Sequence, residues 1–291
     1  MMVRGAGTTA TETMTGTGTK PKTSSAMRTK TSTRPNTGTG RQRGLFASLT
    51  VLAVAAAGCS GGSGAGTAST SPSASEVISA SCIVPGSAQA KQIVHFTNSQ
   101  GVQVEAYESM PSAGKHVSSS GTVGIVIVHQ SEQNLCESMS WAVLFSRAGY
   151  LALAPTVDEY QQVTEVEMSV AYLRAHGAKQ VVLLGASMGG TAVLQTAAEL
   201  TPPVQAVVSL SGPANYAPMD ALQTAPKLEV PVFYSAGAQD TEFATDETTL
   251  YKATVEKDKT LDIVPNDDSH GFALLGGLLP KVEAFLQAHI S

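Results

Sequence analysis

The stretch that most constrains this chain runs from Val181 to Gly190 and reads VVLLGASMGG, an apolar run ending in G-x-S-x-G. Thr191 to Leu200 follows at once with a helix-compatible pattern, so the serine sits where a buried strand turns into a helix. Such a turn forces its apex residue into a strained backbone, and the small neighbours Gly185, Gly189 and Gly190 let the two elements approach. Ser187 Oγ then stands above the sheet edge. The N–H of Met188, in the first helical turn, points to where negative charge grows when a carbonyl is attacked.

A serine hydroxyl is a poor nucleophile at neutral pH and needs a base, oriented in turn by an acid. Asp240 follows the strand-like run Val230 to Gly237 and opens a polar loop, Ala238 to Glu242. His270 follows Thr260 to Pro265, in the loop Asn266 to Phe272 and ahead of an amphipathic segment, Leu278 to Ile290. Both thus sit at the ends of predicted strands. Asp267 and Asp268 compete with Asp240 for the acid's place, but their closeness in sequence to His270 hinders approach to its far ring nitrogen. Asp240 is favoured.

With these residues in the order Ser187, Asp240, His270, the chain resembles the α/β-hydrolase superfamily, and within it the dienelactone-hydrolase-like and carboxylesterase-like members. The resemblance covers about residues 93 to 290. It implies an α/β fold with a mainly parallel sheet flanked by helices on both faces and no lid domain. It also implies a second oxyanion donor in the loop after the third strand, here His129-Gln130-Ser131; by position this is the N–H of Gln130 or Ser131, with Gln130 preferred. Dienelactone hydrolases proper carry cysteine at the elbow, and Ser187 favours ordinary ester hydrolysis instead. Acyl transfer, thioester or amide cleavage by the same triad is the alternative, as is a non-catalytic hydrolase-like protein that binds an envelope partner.

The remaining pattern fits. Ile93–Thr97 and Val102–Tyr107 read as an antiparallel pair, Val123–His129 as a buried parallel strand, and Leu135 to Ala148 as a helix whose Trp141, Leu144 and Phe145 pack the core. A strand over Tyr150–Pro155, a helix over Val163 to His176, and strands over Val204–Leu210 and Val230–Ser235 continue the alternation. Only about twenty residues, Ser211 to Glu229, separate those last two strands, too few for a lid domain. His129 reads as structural, and Glu132 and Glu137 as solvated charges. His95, His116, His176 and His289 show no metal-ligand spacing, and the reading calls for no metal and no cofactor.

The first ninety residues differ in kind. Residues 1–43 hold 8 of the 18 basic and 1 of the 23 acidic residues, a composition that builds no core. Gly44 to Cys59 is an apolar stretch of signal-peptide length with a basic flank at Arg41 and Arg43, too short to span a bilayer. Its end, Ala56-Ala-Gly-Cys59, resembles a bacterial lipobox. The organisation expected is a signal peptide over 1–58, a lipidated Cys59 on a Gly/Ser/Thr-rich tether to residue 90, and a catalytic domain over 91–291. Such a chain is exported and anchored by lipid on the outer side of the cell membrane. After removal of 1–58, 10 basic and 22 acidic residues remain, net −12, which disfavours nucleic acid as a partner; the expected partner is a small ester substrate. Cys82 and Cys136 would then be an even pair in an oxidising compartment, either bridged or left as two thiols, with the bridge favoured.

Overall fold

The computed structural model describes residues 82–113, 115 and 117–290; the readings of the leader, Cys59, the tether and His116 lie outside the described residues. An eight-stranded sheet runs in the order β1-β2-β4-β3-β5-β6-β9-β10. Its members are β1 (Ile93–Thr97), β2 (Gln103–Ser109), β3 (Val123–Val128), β4 (Leu151–Pro155), β5 (Gln180–Ala186), β6 (Ala206–Leu210), β9 (Val232–Gly237) and β10 (Lys259–Val264). β1 and β2 pair antiparallel, β2 meets β4 antiparallel, and every later pairing is parallel. β7 (Asn215–Tyr216) and β8 (Met219–Asp220) form a small separate hairpin between β6 and β9. With the short helix α4 (Ala221–Thr224) it fills the segment read as too short for a lid.

β3 is buried along its whole length, as a strand covered on both faces must be. Ile125 and Ile127 face one core layer and Val126 and Val128 the other, the two-residue period of a strand. α1 (Leu135–Ala148) and α6 (Phe272–His289) supply the first layer through Leu135, Phe145, Leu275 and Leu286. The second takes Val170 and Leu173 from α2 (Gln162–Ala175), Val193 and Leu194 from α3 (Met188–Glu199) and Leu250 from α5 (Thr241–Ala253). The sheet is therefore sandwiched, as expected. Asn134 caps α1 by accepting from the Cys136 N–H at 2.9 Å, and Gly149, at φ 118°, ends it in the left-handed region that glycine favours.

Three boundaries differ from the sequence reading. α5 was not expected at all, since its Thr-rich sequence looks like a continued polar loop; Glu247 and Leu250 on its inner face are fully buried, and tertiary packing overrides propensity. α6 starts at Phe272 rather than Leu278, although Gly276, Gly277 and Pro280 lie inside it, because Phe272, Leu274 and Leu275 bury against the sheet. The packed unit also begins before residue 91: Ile83 is buried, and a disulfide joins Cys82 to Cys136 with the Cα atoms 5.7 Å apart. The bridge ties the segment ahead of β1 to the first turn of α1.

The β5–α3 turn brings backbone directly against backbone. A Cβ on Gly185 would lie 2.1 Å from the Gly189 carbonyl oxygen, and one on Gly189 would lie 2.5 Å from the Val128 carbonyl oxygen. Both obstacles are backbone, which has no rotamer to yield. Gly185→Ala is expected to destabilise the protein by about 3 kcal/mol. Gly276→Ala, in a helix and with nothing within 4 Å, should instead stabilise by about 0.5–1 kcal/mol; urea denaturation of the two variants checks both.

Candidate active site

Ser187 occupies the turn between β5 and α3 at φ 52°, ψ −122°, a region L-residues avoid. It is held there from both sides: its N–H donates to the Leu210 carbonyl at 2.8 Å, and its carbonyl accepts from the Gly190 N–H at 2.8 Å. Met188 begins α3, so its N–H has no intrahelical acceptor.

The other two residues arrive on loops that are laced together. The Ala238 N–H donates to the Val264 carbonyl and the Gln239 N–H to the Asp267 carbonyl, while a Cβ on Gly237 would lie 2.6 Å from that same Asp267 oxygen. These contacts fix the ends of β9 and β10 against each other. Asp240 Oδ2 lies 2.8 Å from His270 Nδ1. The imidazole's Nδ1–H donates to the carboxylate, which leaves Nε2 with a free lone pair. Phe243, one turn into α5, meets the imidazole edge-on at 4.3 Å between centroids and fixes its tilt. Asp267 accepts instead from the Ser269 N–H at 2.7 Å, and hydrogen bonding from the Ser269 side chain and then its N–H holds the carboxyl below the usual range; neither it nor Asp268 pairs with His270.

Gly271 carries the His270 loop to the elbow. Its N–H donates to Ser211 Oγ at 3.1 Å; Ser211 is the residue after β6. A Cβ on Gly271 would lie 3.2 Å from Ala186 Cβ and closer still to the Gln130 side chain. His270 is therefore set beside the residue that precedes Ser187. No hydrogen bond joins Ser187 Oγ to His270 among the described residues; such contacts often tighten only when substrate binds.

The loop after β3 departs from the sequence reading. The N–H of Gln130 donates to Glu137 Oε2 at 2.9 Å, and its side-chain amide donates to Glu137 Oε1. The N–H preferred as second oxyanion donor is thus committed to a carboxylate. The Ser131 N–H makes no hydrogen bond among the described residues. Glu137, read as a solvated charge, is instead the clamp on this loop. His129 is structural as expected: Nε2 accepts from the Val157 N–H at 2.9 Å, so Nδ1–H donates to the Gln130 carbonyl at 2.6 Å, and burial holds its pKa down.

Sequence reasoning missed Ser211, Phe243, Glu137 and Glu247. Glu247 is fully buried and accepts from Ser209 Oγ at 2.8 Å and the Gly212 N–H at 2.7 Å, beneath Gly190; burial drives its carboxyl well up. Phe243 had a signal, three residues after Asp240 at helical spacing, but no element was assigned beyond the loop that ends at Glu242. Among the described residues no cluster could hold a metal ion.

Residues 155–277 match the Dienelactone hydrolase family. No curated protein matches. Among solved structures it is similar to Est1E from Butyrivibrio proteoclasticus, at 16% identity over 68% of this chain and 98% of that one, TM-score 0.54. It is also similar to the esterase Pf2001 of Pyrococcus furiosus (13% identity, 72% and 96% covered, TM-score 0.59) and to a dienelactone hydrolase from Anabaena variabilis (21%, 69% and 100%, TM-score 0.50). The fold is that of the α/β hydrolases.

Proposed function

From the premise that this chain is an enzyme of the α/β-hydrolase type, we propose that it cleaves carboxylic esters through an acyl-enzyme on Ser187. The observation that carries this reading is the 2.8 Å contact of Asp240 with His270 Nδ1, on a loop packed against Ala186. Ser187 Oγ attacks the acyl carbon while His270 Nε2 takes its proton and passes it to the leaving alcohol; water then repeats the sequence to free the acid. Asp240 holds the tautomer and stabilises the imidazolium. The oxyanion is held by the N–H groups of Met188 and Ser131, since that of Gln130 is engaged by Glu137. The names of the family and of the two similar esterases agree with this substrate class.

A fluorophosphonate probe followed by peptide mapping tests the reading. Modification at Ser187, with hydrolysis of 4-nitrophenyl acetate, is expected. A folded chain inert to both overturns it and returns the non-catalytic alternative. Adding an alcohol as acceptor separates hydrolysis from acyl transfer by the product formed.

Glu137 positions the oxyanion loop without touching substrate. Glu137→Ala is expected to lower kcat by about 10- to 100-fold with little change in KM, less than the 10²–10³ that follows loss of an oxyanion donor itself. Glu137→Gln, which keeps one acceptor, should restore part of the loss; steady-state kinetics of both variants check it.

We further infer export, with residues 1–58 as signal peptide and lipid on Cys59 at the head of the tether. The Cys82–Cys136 bridge supports an oxidising compartment and uses the chain's other two cysteines. Cys59→Ser should abolish labelling by a radioactive fatty acid; label retained in that variant overturns the assignment.

A further inference from the structure

The mechanism leaves one chamber beside the elbow unused. It is a cavity of about 760 Å³, lined by Met188 and His129, by residues of β1 and β2, by the segments after β3 and β4, and by Glu165 of α2. Its charge is one-sided. Glu105, Glu132, Asp158, Glu159 and Glu165 line it, and no Lys or Arg does among the described residues. His129 does not offset them, because both its nitrogens are committed as a neutral imidazole, which leaves His95 on β1 as the one other described lining residue that can carry positive charge.

Glu165 is the telling member. It is only 4% exposed, yet it forms part of the cavity wall. Its Oε2 accepts from the Asp158 N–H at 2.5 Å, while its Oε1 meets no hydrogen-bond donor among the described residues. A carboxyl so nearly buried, with one oxygen open to the cavity and engaged by no protein donor, can accept an N–H from a ligand held there. Burial pushes Glu165 up to about 7, and a cation arriving there would favour its ionised form. Val104, Val157 and Met188 add apolar wall suited to the methylene chain behind such a group.

We propose that this cavity is a subsite for a protonated alkylamine carried by the ester, with Glu165 accepting its N–H. The proposal rests on the ester-hydrolase reading above and names the substrate class for the same site. Two isosteric pairs test it on the full chain, one for each side of the ester bond: 4-nitrophenyl 6-aminohexanoate against 4-nitrophenyl heptanoate, and 6-aminohexyl acetate against heptyl acetate. In at least one pair the ammonium ester should have kcat/KM higher by about tenfold or more, the worth of a hydrogen bond to a charged group. Glu165→Gln should bring that ratio close to one. Glu159→Gln, at an exposed position on the rim where folding is not at stake, should lower it about twofold.

Ratios near one in both pairs, or a ratio that survives both substitutions, overturn the subsite, while turnover of the neutral esters still upholds the hydrolase reading. If none of the four esters is cleaved and Ser187 takes no probe, it is the hydrolase reading that fails. Calorimetry with hexylammonium chloride then decides the cavity alone: binding lost in Glu165→Gln supports it, and no binding to the unmodified chain overturns it.

Discussion

Ser187→Ala is expected to lower ester turnover by about 10⁴-fold or more and to leave the fold intact. The hydroxyl makes no hydrogen bond to a described residue, and the turn is held by the backbone of Ser187 and by the close approach of Gly185 and Gly189. Ser187→Gly should be equally inactive but more stable. At φ 52°, ψ −122° a side chain costs about 1–3 kcal/mol, which glycine escapes; in a domain of this size that is a rise of a few degrees in Tm, about 2–4 °C per kcal/mol. A 4-nitrophenyl ester assay and calorimetric melting read the two effects separately. Loss of activity with a Tm that rises in the glycine variant alone would mean that the strain serves to display the hydroxyl. Turnover retained in Ser187→Ala would remove it as nucleophile.

The second large effect falls on Asp240. Asp240→Asn keeps the size of the side chain but presents a neutral amide to His270 Nδ1, so the imidazole is no longer held in the tautomer that leaves Nε2 free to accept a proton. The expected loss in kcat is about 10⁴-fold. Asp240 also stands at the start of α5 but makes no side-chain cap there, so folding is spared. Asp267→Asn and Asp268→Asn should stay within about twofold of the unsubstituted chain, since neither carboxyl reaches His270, an amide oxygen at position 267 can still accept from the Ser269 N–H, and a screened charge has little effect at a distance. If Asp267→Asn or Asp268→Asn equals Asp240→Asn in its effect, the acid has been misassigned.

The loop after β3 shows where reading by sequence stops. Position along the chain puts Gln130 and Ser131 at the right strand end, and a family pattern selects between them only by analogy. The choice turns on Glu137, seven residues on and in the first turn of α1, whose carboxylate reaches back to the Gln130 N–H. Nothing in the intervening residues announces that contact. α5 is a similar case: its threonines carry no strong apolar period, and it is helical because Glu247 and Leu250 have a core to enter. The bridge between Cys82 and Cys136 was open in the sequence for a third reason, since parity permits a pair but only proximity makes one.

What the sequence determined by itself is the elbow, the order of Ser187, Asp240 and His270, and the alternation that makes a parallel sheet. Each rests on local pattern: an apolar run that must be buried, glycines where backbones touch, and strand ends that present polar residues to one edge. The tertiary structure alone decided which N–H in the loop after β3 is free and which residues wall the cavity beside Met188. Those outcomes depend on angles and distances between segments far apart in sequence, set by the packing of whole elements on the sheet.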